Sequence, residues 1–218
     1  YDQPLTDRPT LQLTHYYAPP GKDDGFLIEN LNNPPGQSAL VMPGYGELHH
    51  QRMLKFRSTA LTGIAIGTLP NGSVRLGHDG STKIALPLGE NEHQRMRAAF
   101  DLLARALFQG GAGFKPRQVI GGALGGGFTM QSSADVERFG SWFQSINRVL
   151  LSTGHPQGGS AMSDDGRIGV VDSTFRVRGL TNLRICDASL FPMVSGVNPQ
   201  WTVMALADHC ARIMNRET

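Results

Sequence analysis

The chain has 218 residues, 39% hydrophobic and 17% charged, with 27 glycines and a formal net charge of +2. That length allows a buried core in one large domain or two small ones. A charge so near zero, on basic residues that are scattered rather than clustered, gives no electrostatic footprint for nucleic acid, and no apolar run reaches the length of a membrane span.

The sequence opens YDQPLTDRPT, with no initiator methionine, basic segment or apolar leader, and so reads as a fragment or a processed product. Residues 10–30 read as paired strands. Leu11, Leu13, His15 and Tyr17 alternate, Gly25-Phe26-Leu27-Ile28 forms a second run, and the PPGKDDG between them is turn chemistry. Residues 30–46, rich in Pro, Asn and Gly, read as an extended loop, and 47–59 as a weak polar helix. Within it, His49 and His50 are adjacent, so their side chains diverge. No Cys, Asp or second His stands at ligand spacing, and the pair reads as surface, with no metal site expected.

From 61 to 88, short β-branched runs separated by PNG and HDG turns predict an antiparallel meander. Residues 90–108 predict a helix capped by Asn91, with Gln94 at the capping-box position. Its stripe of Met96, Phe100, Leu103 and Leu107 suits covering one face of a sheet. After the glycine-rich GGALGGG at 121–127, Ser132 or Ser133 should cap a second helix. There Val136, Phe139, Phe143, Ile146 and Leu150 step by threes and fours as a core stripe, carrying the chain into Gly154-His155. From 167 to 187 the pattern returns to strand, with 183–187 as a buried run. Cys186 and Cys210 fall in a strand pattern and a helix pattern and read as buried thiols. These elements predict an α+β fold, a mainly antiparallel sheet covered by helices.

The most informative stretch is 152–211. His155 is bracketed by Gly154 and Pro156, which fix its backbone. Asn198-Pro199 stands just ahead of a run in which Val203, Leu206, Ala207, Cys210, Ile213 and Met214 recur at helical spacing, so a helix should begin near Gln200 or Thr202. Pro199 suits its first turn, and the amides and positive dipole end there favour an electron-rich group beside Asn198. Rival chemistries fit poorly. Ser160, in GGSAM, lacks the second glycine of a nucleophile elbow, and Asp164-Asp165-Gly166 is too short for a calcium loop.

The order HPQGG, VVD, RVRGLTNLRICDASLFP, NPQWTVMALA resembles the C-terminal region of the glucose–methanol–choline (GMC) oxidoreductases, and the HPxGG and GVNP forms are similar to those of cholesterol oxidases. The resemblance implies an FAD-dependent enzyme that oxidises the CH–OH group of a small-molecule alcohol. Hydride goes to flavin N5 and the proton to His155, an imidazole suited to proton transfer near neutrality. Asn198, where many members carry a second histidine, would orient the alcohol oxygen. Asp187 and Ala188 would meet the FAD ribityl–pyrophosphate region, and Pro199, Gln200 and Trp201 the flavin N1–C2 carbonyl edge. The family's N-terminal GxGxxG is missing here, since Ala123 and Met130 fall where GGALGGG would need glycines. The resemblance therefore implies a substrate-binding domain over 1–150 and a C-terminal catalytic segment over 151–218 that completes an FAD-binding domain. The dinucleotide-binding half would be supplied by an N-terminal segment or subunit outside this chain. The rival reading is a binding or scaffold module that keeps this architecture without flavin.

Overall fold

Strand β2 (Phe26–Leu31) lies antiparallel to β3 (Leu61–Ile66) over its full length, placing Ile28 opposite Ile64 and Phe26 opposite Ile66. Such cross-strand apolar pairs are the unit of sheet stability. The two-residue β1 (Tyr16–Tyr17) extends the sheet on the other side of β2. The computed structural model describes residues 1, 4–5, 16–18, 25–31, 33–110, 115–122, 127–144 and 149–217. The predicted alternation at Leu11, Leu13 and His15 and the PPGKDD turn lie outside them.

The described residues form two compact units, one of 1–66 with 89–151 and one of 67–88 with 152–218. In the first, α1 (Pro35–Val41) occupies the stretch expected to be loop, with Pro34 extended ahead of it and Pro35 at the first helical position. Proline is tolerated there because that N–H has no helical acceptor anyway, so composition alone misled. Helix α2 (Gly46–Leu54) follows, with a 3₁₀ turn at Phe56–Ser58. His49 reaches back to the Ala39 carbonyl at 2.9 Å while His50 is exposed, and no metal-ligating cluster exists among the described residues.

The expected meander does not form. β3 takes β2 as its partner, while β4 (Ser73–Leu76) and β5 (Thr82–Ala85) make a separate hairpin that belongs to the second unit. Strand runs are visible locally, but their partners are chosen by non-local packing.

Helix α3 (Glu90–Gln109) covers the β2–β3 sheet as predicted. Its start differs: Gly89 is the cap, and its N–H donates to the buried Glu92 carboxylate at 2.9 Å, in place of the Asn91–Gln94 box. Across from α3, β6 (Val119–Gly121) and β7 (Phe128–Met130) form a hairpin that leads to α4 (Asp135–Trp142). Met96, Ala104, Met130, Val136, Phe139, Phe143 and Val149 form the core of this unit. Val136, Phe139 and Phe143 of the expected stripe are therefore core. The helix is shorter than expected, however. Asp135 rather than Ser132 or Ser133 tethers its start, accepting from the Gln131 and Ser132 amides at 2.9 and 3.1 Å. At the other end the Gln144 side chain takes the Ser141 carbonyl at 2.6 Å, competing with further helical bonding. Ile146 lies outside the described residues and Leu150 is exposed, so α4 does not run on to His155.

The second unit is built on Val171, Phe175, Leu190 and Cys210, with Met162, Val177, Ile185, Leu206 and Ile213 packed around them. The strand expected over 167–187 is replaced by turns joined through single bridges, Met162 to Val171, Val171 to Val177 and Arg176 to Arg184. The Asp172 carboxylate takes the Thr174 and Arg176 amides at 2.8 and 3.0 Å, so those donors are not available to a ladder. Cys186 and Cys210, read as thiols, are paired as a disulfide with Cα atoms 6.6 Å apart. Local patterning cannot place two cysteines 24 residues apart beside each other. Taken together, the fold is α+β, and every strand pair named above is antiparallel.

Candidate active site

Residues 158–162 run beside the turn at Asp187-Ala188-Ser189, the DAS turn. The Gly158 N–H donates to the Ala188 carbonyl at 3.2 Å, Ser160 to Ser189 at 3.0 Å and Met162 to Leu190 at 2.9 Å. Gly158 and Gly159 have φ of +79° and +93°, a region that other residues enter only with strain, so the paired glycines of HPQGG let the chain turn into this alignment. The segment that delivers His155 is thus hydrogen-bonded directly to the one that delivers Asp187 and Ala188.

Asp187 caps the 3₁₀ turn Ala188–Leu190. Its Oδ1 accepts from the Ser189 hydroxyl at 2.5 Å and the Ser189 amide at 2.8 Å. The Ser189 hydroxyl, then its amide, hold the carboxyl below the usual carboxylate range. The side chain is exposed, and Oδ2 has no partner among the described residues. One oxygen is structural and the other is open to a ligand hydroxyl.

Helix α5 (Gln200–Glu217) starts where the periodicity placed it. Its first internal bond runs from the Val203 N–H to the carbonyl of the buried Pro199, at 2.9 Å. The amides of Gln200, Trp201 and Thr202 have no acceptor among the described residues, as first-turn donors require one from outside. Gln200 is exposed and Trp201 is 80% exposed. The far end of α5 is tied down by Glu217, which accepts from Arg176 at 2.6 Å and from Arg184. The Phe175 ring meets the His209 edge at 5.8 Å.

His155 is exposed, its N–H donating to Thr153 Oγ1 at 3.1 Å, and Asn198 is half-buried. No hydrogen bond joins them among the described residues. Their loops are joined instead by two residues that sequence reasoning passed over. Gln157 Nε2 donates to Ser195 Oγ at 3.0 Å, and the Ser195 amide donates to Gln157 Oε1 at 3.0 Å. Nothing in the local pattern pairs residues 38 apart. The one available hint was a carboxamide placed between a fixed proline and two turning glycines.

The C-terminal model of the GMC oxidoreductases matches residues 69–207. The chain belongs to the GMC oxidoreductase family. A GMC-type oxidoreductase of Mycobacterium tuberculosis H37Rv is 30% identical over 188 residues, which is 85% of this chain and 28% of the relative. Choline oxidase of Arthrobacter globiformis is 38% identical over 70 residues, covering 32% of this chain and 13% of that enzyme. Among solved structures, pyridoxine 4-oxidase from Mesorbium loti superposes with a TM-score of 0.56 at 22% identity, over 86% of this chain and 34% of that one. The chain therefore spans about 28% of the length of the mycobacterial relative, and the likeness to the solved enzyme is one of fold.

Proposed function

We propose that this chain is the C-terminal, catalytic portion of an FAD-dependent oxidoreductase acting on the CH–OH group of an alcohol. One observation carries the reading: within the matched GMC region, the loops bearing His155 and Asn198 are clamped together beside a helix start whose first amides have no acceptor among the described residues. FAD, when bound, supplies the hydride acceptor.

The described residues fit that cofactor on two counts. The Gln200 and Trp201 amides, at the positive end of an 18-residue helix, suit the flavin N1–C2 carbonyl edge and favour negative charge there. Asp187 Oδ2 suits a ribityl hydroxyl, with Ala188 held beside it. Pro199, buried and lacking an N–H, fixes the direction of the helix start. The phosphate-binding turn is assigned to an N-terminal FAD-binding part. In this reading residues 1–150 belong to the substrate side and 151–218 complete the cofactor site.

His155 accepts the hydroxyl proton on an imidazole nitrogen, and Asn198 holds the same oxygen through a neutral carboxamide. One member of the pair can take a proton and the other only orients, because the Asn carboxamide offers no basic nitrogen. The HPxGG and GVNP forms support a relation to cholesterol-oxidase-like members. The test is stopped-flow flavin reduction in the complete polypeptide, across a pH series and a panel of alcohols that includes choline and pyridoxine. His155→Gln should keep flavin occupancy but slow reduction by roughly 10²–10⁴-fold and remove one limb of the pH profile. Asn198→Ala should slow reduction and keep that limb. Reduction of His155→Gln at the parent rate, or a complete polypeptide that holds no flavin, overturns the reading in favour of a scaffold module.

A further inference from the structure

We infer that Gln157, acting with Ser195, is a positioning residue that sets the His155–Asn198 geometry; this rests on the reading of those two residues given above. The brace consists of two hydrogen bonds of opposite sense. The Gln157 amide group donates to Ser195 Oγ and its carbonyl accepts from the Ser195 N–H, each at 3.0 Å. The Ser195 hydroxyl then donates onward to the Val197 carbonyl at 2.6 Å. Val197 directly precedes Asn198. On the other side, Gln157 is separated from His155 only by Pro156, whose ring restricts φ and leaves little slack between brace and imidazole. Both braced residues are half-buried, where the bonds are shielded from competing water.

The chemistry requires a neutral carboxamide. One side chain must offer a donor and an acceptor together, which Gln does and Glu at neutral pH does not. With Glu at 157, the hydroxyl of Ser195 has to turn from Val197 to meet a second acceptor, releasing the end of the brace nearest Asn198. Met has nearly the length of Gln and neither bond. Neither Gln157 nor Ser195 is assigned a contact with substrate or flavin, so their effect is exerted through the loops they join. Misplacement of about 1 Å in a reacting pair can cost up to about 10²-fold in rate.

The experiment compares the complete flavoprotein with Gln157→Met, Ser195→Ala and the double variant. Hydrogen exchange reads the brace itself. The Ser195 amide has Gln157 Oε1 as its acceptor, so the peptide containing it should lose protection in Gln157→Met. Flavin absorbance should show occupancy unchanged. Stopped-flow reduction by the alcohol that reduces the parent enzyme best should slow by roughly 10–100-fold with the His155 pH limb retained. The double variant should slow reduction by less than the product of the two single effects, since both changes remove the bond from Gln157 Nε2 to Ser195 Oγ, while Gln157→Met alone removes the acceptor of the Ser195 amide and Ser195→Ala alone removes the bond to Val197. Gln157→Glu should fall between parent and Gln157→Met. Unchanged exchange at Ser195 or a parent reduction rate in Gln157→Met overturns the brace, as does flavin loss that accounts for the whole effect. His155→Gln in the same assay separates the two levels. If it reduces at the parent rate the site reading has failed, whereas if it is slow while Gln157→Met is unimpaired only the brace has failed.

Discussion

Asp187 holds Ser189 twice, accepting from both its hydroxyl at 2.5 Å and its amide at 2.8 Å through a single carboxylate oxygen. The turn cap therefore uses one carboxylate oxygen, and the cofactor contact proposed for Asp187 would use the other.

That division gives a prediction for Asp187→Ala. The change should loosen the Ala188–Leu190 turn and, in the complete enzyme, lower flavin occupancy. Asp187→Asn, which keeps an acceptor oxygen for Ser189, should lose less. The pH dependence has a definite sign. Because the Ser189 hydroxyl and amide hold the folded carboxyl below its ordinary value, the stabilisation is fully present above the unfolded pKa, near 3.9. It is lost as pH falls through the depressed folded value. The acid limb of a thermal-melt series should therefore differ between parent and Asp187→Ala, and the two should run parallel above about pH 5. Identical acid limbs would remove the cap from this account.

The glycine-rich stretch supplies a second prediction. A Cβ on Gly121 would lie 2.6 Å from Phe139 Cε2, in a ring that is 2% exposed and stacked with Trp142 and Phe143. Phe139 has no room to yield, so Gly121→Ala should destabilise by about 1–3 kcal/mol. At Gly122 no atom of the described residues lies within 4 Å, and Gly122→Ala should stay within about 0.5 kcal/mol of the parent. Denaturant melts of the two variants decide whether Gly121 is there for packing. Equal melts would point away from the Phe139 contact.

Phe175 carries the third. Its φ is +67° and it is 1% exposed, a buried aromatic in a conformation that favours glycine. Phe175→Ala should cost about 3–5 kcal/mol through the lost ring and the cavity it leaves. Phe175→Gly loses the same ring but relieves the backbone. It should therefore be more stable than Phe175→Ala by about 1 kcal/mol, the reverse of the usual order in regular structure. A Phe175→Gly variant melting below Phe175→Ala would show that the backbone at this position is not strained in solution.

Some of this molecule was determined by sequence alone because the deciding interactions lie within a few residues. The α3 and α5 helices follow from 3.6-residue periodicity, and the core stripe of Val136, Phe139 and Phe143 from the same rule. His155 and Asn198 were legible as candidates because Gly154 and Pro156 flank the one and a helix start follows the other, whereas Asp187 was a candidate only through the family resemblance of the segment that carries it.

Only the tertiary structure decided the pairings. It matched β3 with β2 rather than β4 and paired Cys186 with Cys210. It also laid residues 158–162 along the DAS turn and joined Gln157 to Ser195. Each choice depends on which of several equally suitable partners a folded chain brings within about 3 Å of a donor or acceptor. Periodicity and motif spacing constrain what a segment can be, but hydrogen-bond and packing partners far along the chain are selected by the closing of the whole core.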